Sequence, residues 1–336
     1  MATYDYDMGI VGGGAAGLTV ASGAAQLGAK TLLVEKEGKL GGDCLHFGCV
    51  PSKTLIRTAQ VYHTMRNAQA FGLPPVEMPA VDFKKVRERI QSVVSTIQKH
   101  DSEERFCSLG AKVAFGTPTF SDEHSVQLNG QTVSAKNWVI ATGSSPGIPP
   151  IEGLDKTPYL TNREIFSLER LPESMIILGA GPIAVEMAQA FSRLGTAVFV
   201  VQRGGQILSR EDRDMAEGVM QVLTSEGITF YLNTSIIDVK DLGSRREVRF
   251  KDSAGKINSL RAEQILVAMG RSPNVEGLGL DGIGIEPDRK GIKVDARLRT
   301  VQKHIYAAGD VTGAFQFTHA AGYEGGIVVA NAIFHL

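Results

Sequence analysis

Gly12, Gly14, Gly17, Gly28 and Glu35 are each matched, 167 residues further on, by Gly179, Gly181, Ala184, Gly195 and Gln202. An interval kept across five positions means that one supersecondary unit is used twice. Each copy opens with a short apolar run, stops at a glycine cluster and continues into an alanine- and leucine-rich stretch with helical character. In the first copy a second apolar run, Thr31 to Val34, ends on Glu35, 23 residues after Gly12. Strand, glycine turn, helix, strand and acid is the order of a dinucleotide-binding unit. The first glycine makes the turn, the second admits a pyrophosphate, the third lets helix and strand pack closely, and the acid takes ribose hydroxyls. Here these are Gly12, Gly14, Gly17 and Glu35, with Ala15 and Ala16 at the helix start and Lys36 beside the acid. The second copy offers Gly179, Gly181 and Ala184, with Gln202 and Arg203 at the acid's place. The pattern predicts an α/β fold with two Rossmann-like dinucleotide-binding domains and two bound nucleotides.

Both copies are followed by a second shared phrase, WVIATGSSP ending at Pro146 and ILVAMGRSPN ending at Asn274, each a buried strand running into a glycine turn. Ala141, Thr142 and Gly143 in the first, and Gly270 and Arg271 in the second, become candidate cofactor contacts. A third phrase, HIYAAGDV, sets Gly309 and Asp310 just past a strand end, where the carboxylate is placed either to accept hydrogen bonds from a polyol such as ribityl or to cap the next helix. The order of these pieces predicts one discontinuous domain, 1–148 with 274–336, that binds FAD, and a second, 149–273, that binds NAD(P). Each carries a small accessory sheet, read as short strands over 112–133 in the first and a pair over 247–260 in the second. Two nucleotides in one chain most simply serve electron transfer, a flavin relaying what a nicotinamide delivers. Gln202 lacks the carboxylate that would repel a 2′-phosphate and Arg203 is available to bind one, which favours NADPH over NADH by a modest margin.

Composition narrows the class. Lys and Arg number 35 against 36 Asp and Glu, a formal charge of −1, so there is no basic field for a nucleic acid backbone. No apolar run approaches the roughly 18 residues needed to span a bilayer, which points to a cytoplasmic protein with no membrane span. Three cysteines cannot build a disulfide scaffold, and a reducing compartment fits them better.

Two of those cysteines, Cys44 and Cys49, stand in KLGGDCLHFGCVPSKTLIR, directly after the first nucleotide unit. On one ideal helix five residues leave the side chains some 140° apart, so bridging them needs a distorted turn, which Gly48 and Pro51 are suited to supply. A zinc site needs four ligands, and the remaining cysteine, Cys107, lies in an unrelated pattern, so no metal is expected. Chance spacing of two cysteines is the plain alternative.

From Asp7 to its end the chain resembles the pyridine nucleotide–disulfide oxidoreductases of the dihydrolipoamide dehydrogenase, glutathione reductase and mercuric reductase group. GGDCLHFGCVPSK matches that family's GG-x-C-x-x-x-x-C-x-P-x-K, and both nucleotide fingerprints, the ATG phrase and the GD phrase follow in order. The resemblance implies an NAD(P)H-dependent flavoenzyme in which Cys44 and Cys49 form a redox-active disulfide beside FAD. Cys49 would face the flavin and Cys44 exchange with a small-molecule or protein disulfide. Lys53 would lie at the flavin, paired with Glu186; Gly42 and Asp43 would run along its phosphates; His319 and Ala320 would open a helix facing its pyrimidine. A flavin-dependent quinone or dye reductase, or a non-catalytic FAD- and NAD(P)-binding module, shares the nucleotide folds without needing the cysteines.

Departures from the family are informative. Its members carry a further C-terminal domain that makes the dimer and supplies a His–Glu pair. This chain stops at Leu336, so the resemblance implies a homodimer for a full-length protein and a monomer or weak dimer for these residues. Asp43 replaces a usual threonine. His46 and Phe47 stand where asparagine and a small aliphatic residue are usual, and His46 is read either as a substitute base or as a spacer.

Overall fold

A computed structural model of the chain describes residues 3–334. The first repeat consists of β1 (Tyr6–Val11), α1 (Ala15–Gln26) and β2 (Thr31–Glu35). Then come α2 (Gly42–His46), α3 (Cys49–Arg66), α4 (Phe83–Gln98) and α5 (Glu103–Ser108), followed by β3 (Ala111–Phe115), β4 (Thr119–Phe120), β5 (Ser125–Leu128), β6 (Gln131–Ile140) and β7 (Ser144–Pro146). The second repeat is β8 (Ser174–Leu178), α6 (Pro182–Leu194), β9 (Ala197–Val201), α7 (Arg213–Ser225) and β10 (Thr229–Tyr231). The remaining strands are β11 (Ser235–Asp241), β12 (Arg246–Lys251), β13 (Ile257–Ala262), β14 (Gln264–Val267), β15 (Arg271–Pro273) and β16 (Ile305–Ala307), and α8 (Thr318–Phe334) closes the order. The chain divides into two compact units, one of residues 1–46, 94–145 and 271–336, the other of 47–93 and 146–270.

In the first unit β3, β2, β1, the second half of β6, and β16 lie side by side and parallel. Their apolar runs do not alternate with polar residues because both sheet faces are buried. Met8, Ile10, Leu33 and Val139 point to the side covered by α1 and α8, whereas Val11, Leu32, Val34, Trp138 and Ile140 point to the other, packed by Leu278, Leu280, Ile283 and Ile292. Trp138 has no solvent exposure. It rests on Gly9, where an added Cβ would come within 2.4 Å of the ring, and its indole N–H donates to the His124 carbonyl at 2.8 Å.

The accessory sheet differs from the reading over 112–133. β3 is the edge of the main parallel sheet, because Ala111–Phe115 pairs with Thr31–Glu35. The accessory part is β4, β5 and the first half of β6, antiparallel, with the β5–β6 turn at Asn129 and Gly130, both at positive φ. Such a two-residue turn matches the twist of its strands.

The second unit repeats the parallel order as β10, β9, β8, β14 and adds an antiparallel sheet, β11, β12, β13. The pair read over 247–260 is β12 and β13, and β11 makes it a three-stranded sheet. The unit boundary also differs from the expected 149–273, since 47–93 is included. The physical reason is packing: Phe83 of α4 lies against Phe191 of α6, ring centroids 5.8 Å apart, and Lys53 of α3 is bonded to Glu186 of α6.

Candidate functional site

The first glycine turn is closed by backbone. Gly12 donates to the Val34 carbonyl at 2.8 Å and Ala141 to the Val11 carbonyl at 2.8 Å, so the three strand ends are tied where the turn begins. Gly12 sits at φ 113°, with the Ala141 oxygen 2.3 Å from where a Cβ would be, and no other residue fits there. Gly17 lets α1 touch that strand end, since its Cβ would lie 1.8 Å from the Gly12 oxygen. At Gly14, by contrast, a Cβ would meet nothing nearer than the Gly42 Cα at 3.9 Å. Gly14 caps α1 with backbone only, so the N–H groups of Ala15, Ala16 and Gly17 have no side-chain acceptor and α1 presents an uncapped positive end. An open glycine face at an uncapped helix N-terminus fits a pyrophosphate. Gly42, at φ 58°, folds in close to Gly14, and Gly41 donates to the Gly13 carbonyl at 2.9 Å.

Glu35 is buried at the end of β2, and both its oxygens are bonded: one accepts from the Gly13 N–H at 2.6 Å, the other from the Glu37 N–H at 2.8 Å. The acid therefore braces the turn from inside. Lys36 is exposed.

The second turn is built the same way. Gly179, at φ 102°, donates to Val201, and Ala268 donates to Leu178. The Ala268 oxygen lies 2.3 Å from the missing Gly179 Cβ, and at Gly181 nothing lies within 4 Å. Gly181 caps α6 with backbone only and Pro182 occupies the first helical position. Ala184 is fully buried, Gln202 reaches no closer than 3.4 Å to the Gln206 carbonyl, and Arg203 is exposed. Gly270 is exposed as well.

A polar network missed by sequence reasoning gathers near the ATG turn of the first unit. Arg271 donates through Nε to the Ser144 hydroxyl at 2.6 Å and through Nη2 to the Ser144 carbonyl at 2.7 Å, and pairs with Asp43 at 2.9 Å and Asp310 at 3.6 Å. Ser144 donates to Asp310 at 2.5 Å. The unusual Asp43 is thus not a bare negative charge beside a phosphate cradle. Asn274 staples the turn, donating to the Thr142 carbonyl at 2.9 Å while its own carbonyl accepts from the Thr142 hydroxyl at 2.6 Å and its N–H reaches Gly143 at 3.0 Å. Glu324 of α8 accepts from the Gly309 N–H at 2.6 Å, holding the turn that presents Asp310. Burial raises the Glu324 pKa above the usual carboxylate range despite that bond, and Asp310 adds to the rise. His319 is exposed in the first turn of α8, stacked on Phe317 at 5.5 Å, with Ala320 half-buried beside it.

Helix α2 ends at His46, Gly48 is the N-cap of α3, and Cys49 is its first residue. The two cysteines therefore lie on separate helices, which removes the ideal-helix obstacle to bridging them. Cys44 is half-buried and Cys49 exposed. An 18-residue helix puts its positive end at Cys49. His46 bonds the Leu40 carbonyl through Nε2 at 2.9 Å, a contact that anchors the loop. Lys53 and Glu186 meet in a two-pronged contact of 2.6 and 2.7 Å. Among the described residues no group of three or more His, Cys, Asp or Glu is placed to hold a metal ion, and no helix is long and apolar enough to cross a membrane.

Two Rossmann-like units, each with an uncapped helix at an open glycine turn, define an α/β protein of the dinucleotide-binding type. The chain belongs to the pyridine nucleotide-disulphide oxidoreductase family, whose model matches residues 6–325. It is 34% identical to a mercuric reductase of Staphylococcus aureus over 98% of its own length and 60% of that protein, and 36% identical to a dihydrolipoyl dehydrogenase of Bacillus subtilis over 98% and 72%. Against a mercuric reductase of Bacillus cereus it covers 52%, so the chain spans little more than half the length of several curated relatives. Its fold is similar to that of the HOCl-induced flavoprotein disulfide reductase RclA from Escherichia coli, with a TM-score of 0.86 for the Cu(II) complex at 28% identity, over 99% of this chain and 71% of that one.

Proposed function

We propose that this chain is the nucleotide-binding core of an FAD-dependent NAD(P)H:disulfide oxidoreductase, with Cys44 and Cys49 as its redox pair. The observation that carries the reading is the helix break at residues 47–48, which leaves Cys49 at the first position of α3 and Cys44 on the helix before it. FAD, when bound, takes two electrons from the nicotinamide and hands them to the cysteine pair. The first unit would hold it, with the first turn of α1 on the pyrophosphate, Glu35 on the ribose, and Asp310, Arg271 and Asp43 along the chain between the two rings.

Two electrons and two protons convert a Cys44–Cys49 disulfide to a dithiol. The α3 dipole favours the Cys49 thiolate, and Lys53, oriented by Glu186, adds positive charge one turn along the same helix. Cys44, as thiolate, then attacks a substrate disulfide; one substrate sulfur leaves as a thiol, and Cys49 displaces the other, restoring the bridge. The second unit would bind the donor on α6, and Gln202 with exposed Arg203 supports NADPH. A disulfide-bearing small molecule or protein, a cytoplasmic location and a homodimer in the full-length protein complete the reading.

Anaerobic reduction by NADPH tests it. A long-wavelength thiolate-to-flavin band is expected in the two-electron-reduced protein, kept in Cys44→Ser and lost in Cys49→Ser. Equal loss in both variants would reverse or cancel the assignment, and absence of new thiols after reduction would point to a simple flavin reductase.

A further inference from the structure

The parallel strands of the first unit have two ends, and the nucleotide turns lie only at the C-terminal one. Near the other end a hollow of about 300 Å³ is lined by Arg297, Arg299, Lys303, His304, Tyr306 and Asn137 among others, with no carboxylate in its lining. Asn137 pairs with Met8 near the start of β1, four residues before Ala141, which places the hollow roughly 13 Å along the strands from the glycine turn. The basic residues come together through local structure. Asp295 accepts from the backbone N–H groups of Arg297 and Arg299 at 2.9 and 3.0 Å, Leu298 adopts φ 61°, and a bridge between Arg299 and Tyr306 folds the intervening loop back, bringing Lys303 and His304 to the same side.

One carboxylate stands close to two of the cations. Asp295 is engaged by Arg299 at 2.8 Å and more distantly by Lys303 at 3.8 Å, and the Arg299 bond holds its pKa down at about 2. Arg297 is exposed, and its guanidinium makes no ion pair among the described residues. His304 bonds the Glu123 carbonyl through Nε2 at 3.0 Å, which fixes the ring against the rim. The Tyr306 side chain is buried at the wall, and burial pushes its hydroxyl pKa up from the ordinary phenol value. The lining thus supplies positive charge in excess and neutral donors. A volume near the lower bound for small-molecule sites suits a compact ligand rather than a polymer.

We propose that this hollow binds a small, multiply charged oxyanion, a phosphate or a clustered carboxylate, at a site separate from both nucleotide turns. Guanidinium forks match either anion in a bidentate way, and the unpaired Arg297 would be the main attachment.

The test is calorimetric titration of the FAD-loaded protein at low ionic strength with inorganic pyrophosphate and, separately, citrate. One saturable site at the hollow is expected, weakened at least tenfold in Arg297→Ala/Lys303→Ala and unchanged in Lys84→Ala/Lys85→Ala, two exposed positions of α4. Stronger binding of pyrophosphate assigns a phosphate ligand; stronger binding of citrate assigns a carboxylate. No saturable binding of either probe overturns the proposal. So does affinity equal to wild type in the double variant, or a loss confined to Arg203→Ala, which would put the anion at the second nucleotide turn. Circular dichroism of the double variant separates lost binding from lost structure.

Discussion

At the third glycine position of the turn the first unit has Gly17 and the second Ala184. A methyl at 17 would lie 1.8 Å from the Gly12 oxygen, whereas the methyl at 184 is present and fully buried without conflict. The acid position differs in the same sense. Glu35 reaches back to hold the Gly13 N–H, but Gln202 makes no such bond to Ala180, the equivalent residue, whose carbonyl instead accepts from Leu208 at 2.8 Å. The same topology is thus drawn tight in one unit and left looser in the other. A tight, internally braced turn suits a cofactor that stays, and a looser one suits a nucleotide that must leave after each turnover.

The largest expected contrast is between Gly17→Ala and Ala184→Gly. The first has no room without moving α1, a change that typically costs about 1–3 kcal/mol or more, and it should also abolish FAD retention. The second should cost only about 1 kcal/mol, the helix penalty of glycine, and leave flavin content unchanged. Thermal unfolding with flavin quantitation checks both; equal effects would dissolve the distinction between the turns. Next in size, Glu35→Ala leaves the buried Gly13 N–H without an acceptor, a loss of about 1–3 kcal/mol, while Gln202→Ala should change stability by well under 1 kcal/mol. Urea midpoints decide that comparison.

A smaller effect is expected on donor choice. Gln202→Glu with Arg203→Ala should move the ratio of NADPH to NADH efficiency toward NADH by about tenfold, equivalent to about 1.4 kcal/mol, with FAD binding untouched. Stopped-flow flavin reduction with both donors measures it; an unchanged ratio would remove these two residues from 2′-phosphate recognition.

The smallest effect is local and set by pH. In the antiparallel sheet of the second unit the hydrogen bond from Arg249 lowers the Asp238 pKa, Ser259 and then Arg261 lower that of Glu247, and Asn258 lowers that of Asp252. Carboxylates with depressed folded pKa values stabilise the sheet above their unfolded range, near 4, and that stabilisation is lost as pH falls through the lower folded values. Glu324 in the first unit runs the other way, since its raised pKa favours the fold at lower pH and costs stability as pH rises through it. Pepsin cleavage within 235–262 should therefore increase between pH 4 and pH 3 before cleavage of α8 does.

The repeat made the fold legible, because strand, turn and helix are each dictated by neighbours in sequence. The spacing of Gly12, Gly14 and Gly17 could be read directly. What escaped depended on distant chain. Nothing near Ala111–Phe115 tells that its partner is β2, some 80 residues earlier in the chain. Asp43 looked like an isolated departure until Arg271 came beside it, and Ser144 and Glu324 are ordinary residues whose roles come from Arg271, Asp310 and Gly309. The basic hollow is similar: a net charge of −1 conceals the local excess around Arg297.

Trp138 is the chain's single tryptophan, and it is sealed in the core of the first unit against Gly9. Indole emission therefore watches one half of the molecule and is blind to the other. Its wavelength will shift only when the sheet that carries the first glycine turn opens, while the far-ultraviolet dichroism sums over both units. Recording the two signals during one denaturation turns the protein into its own internal control: divergence of the curves measures directly whether the two copies of the repeat unfold together.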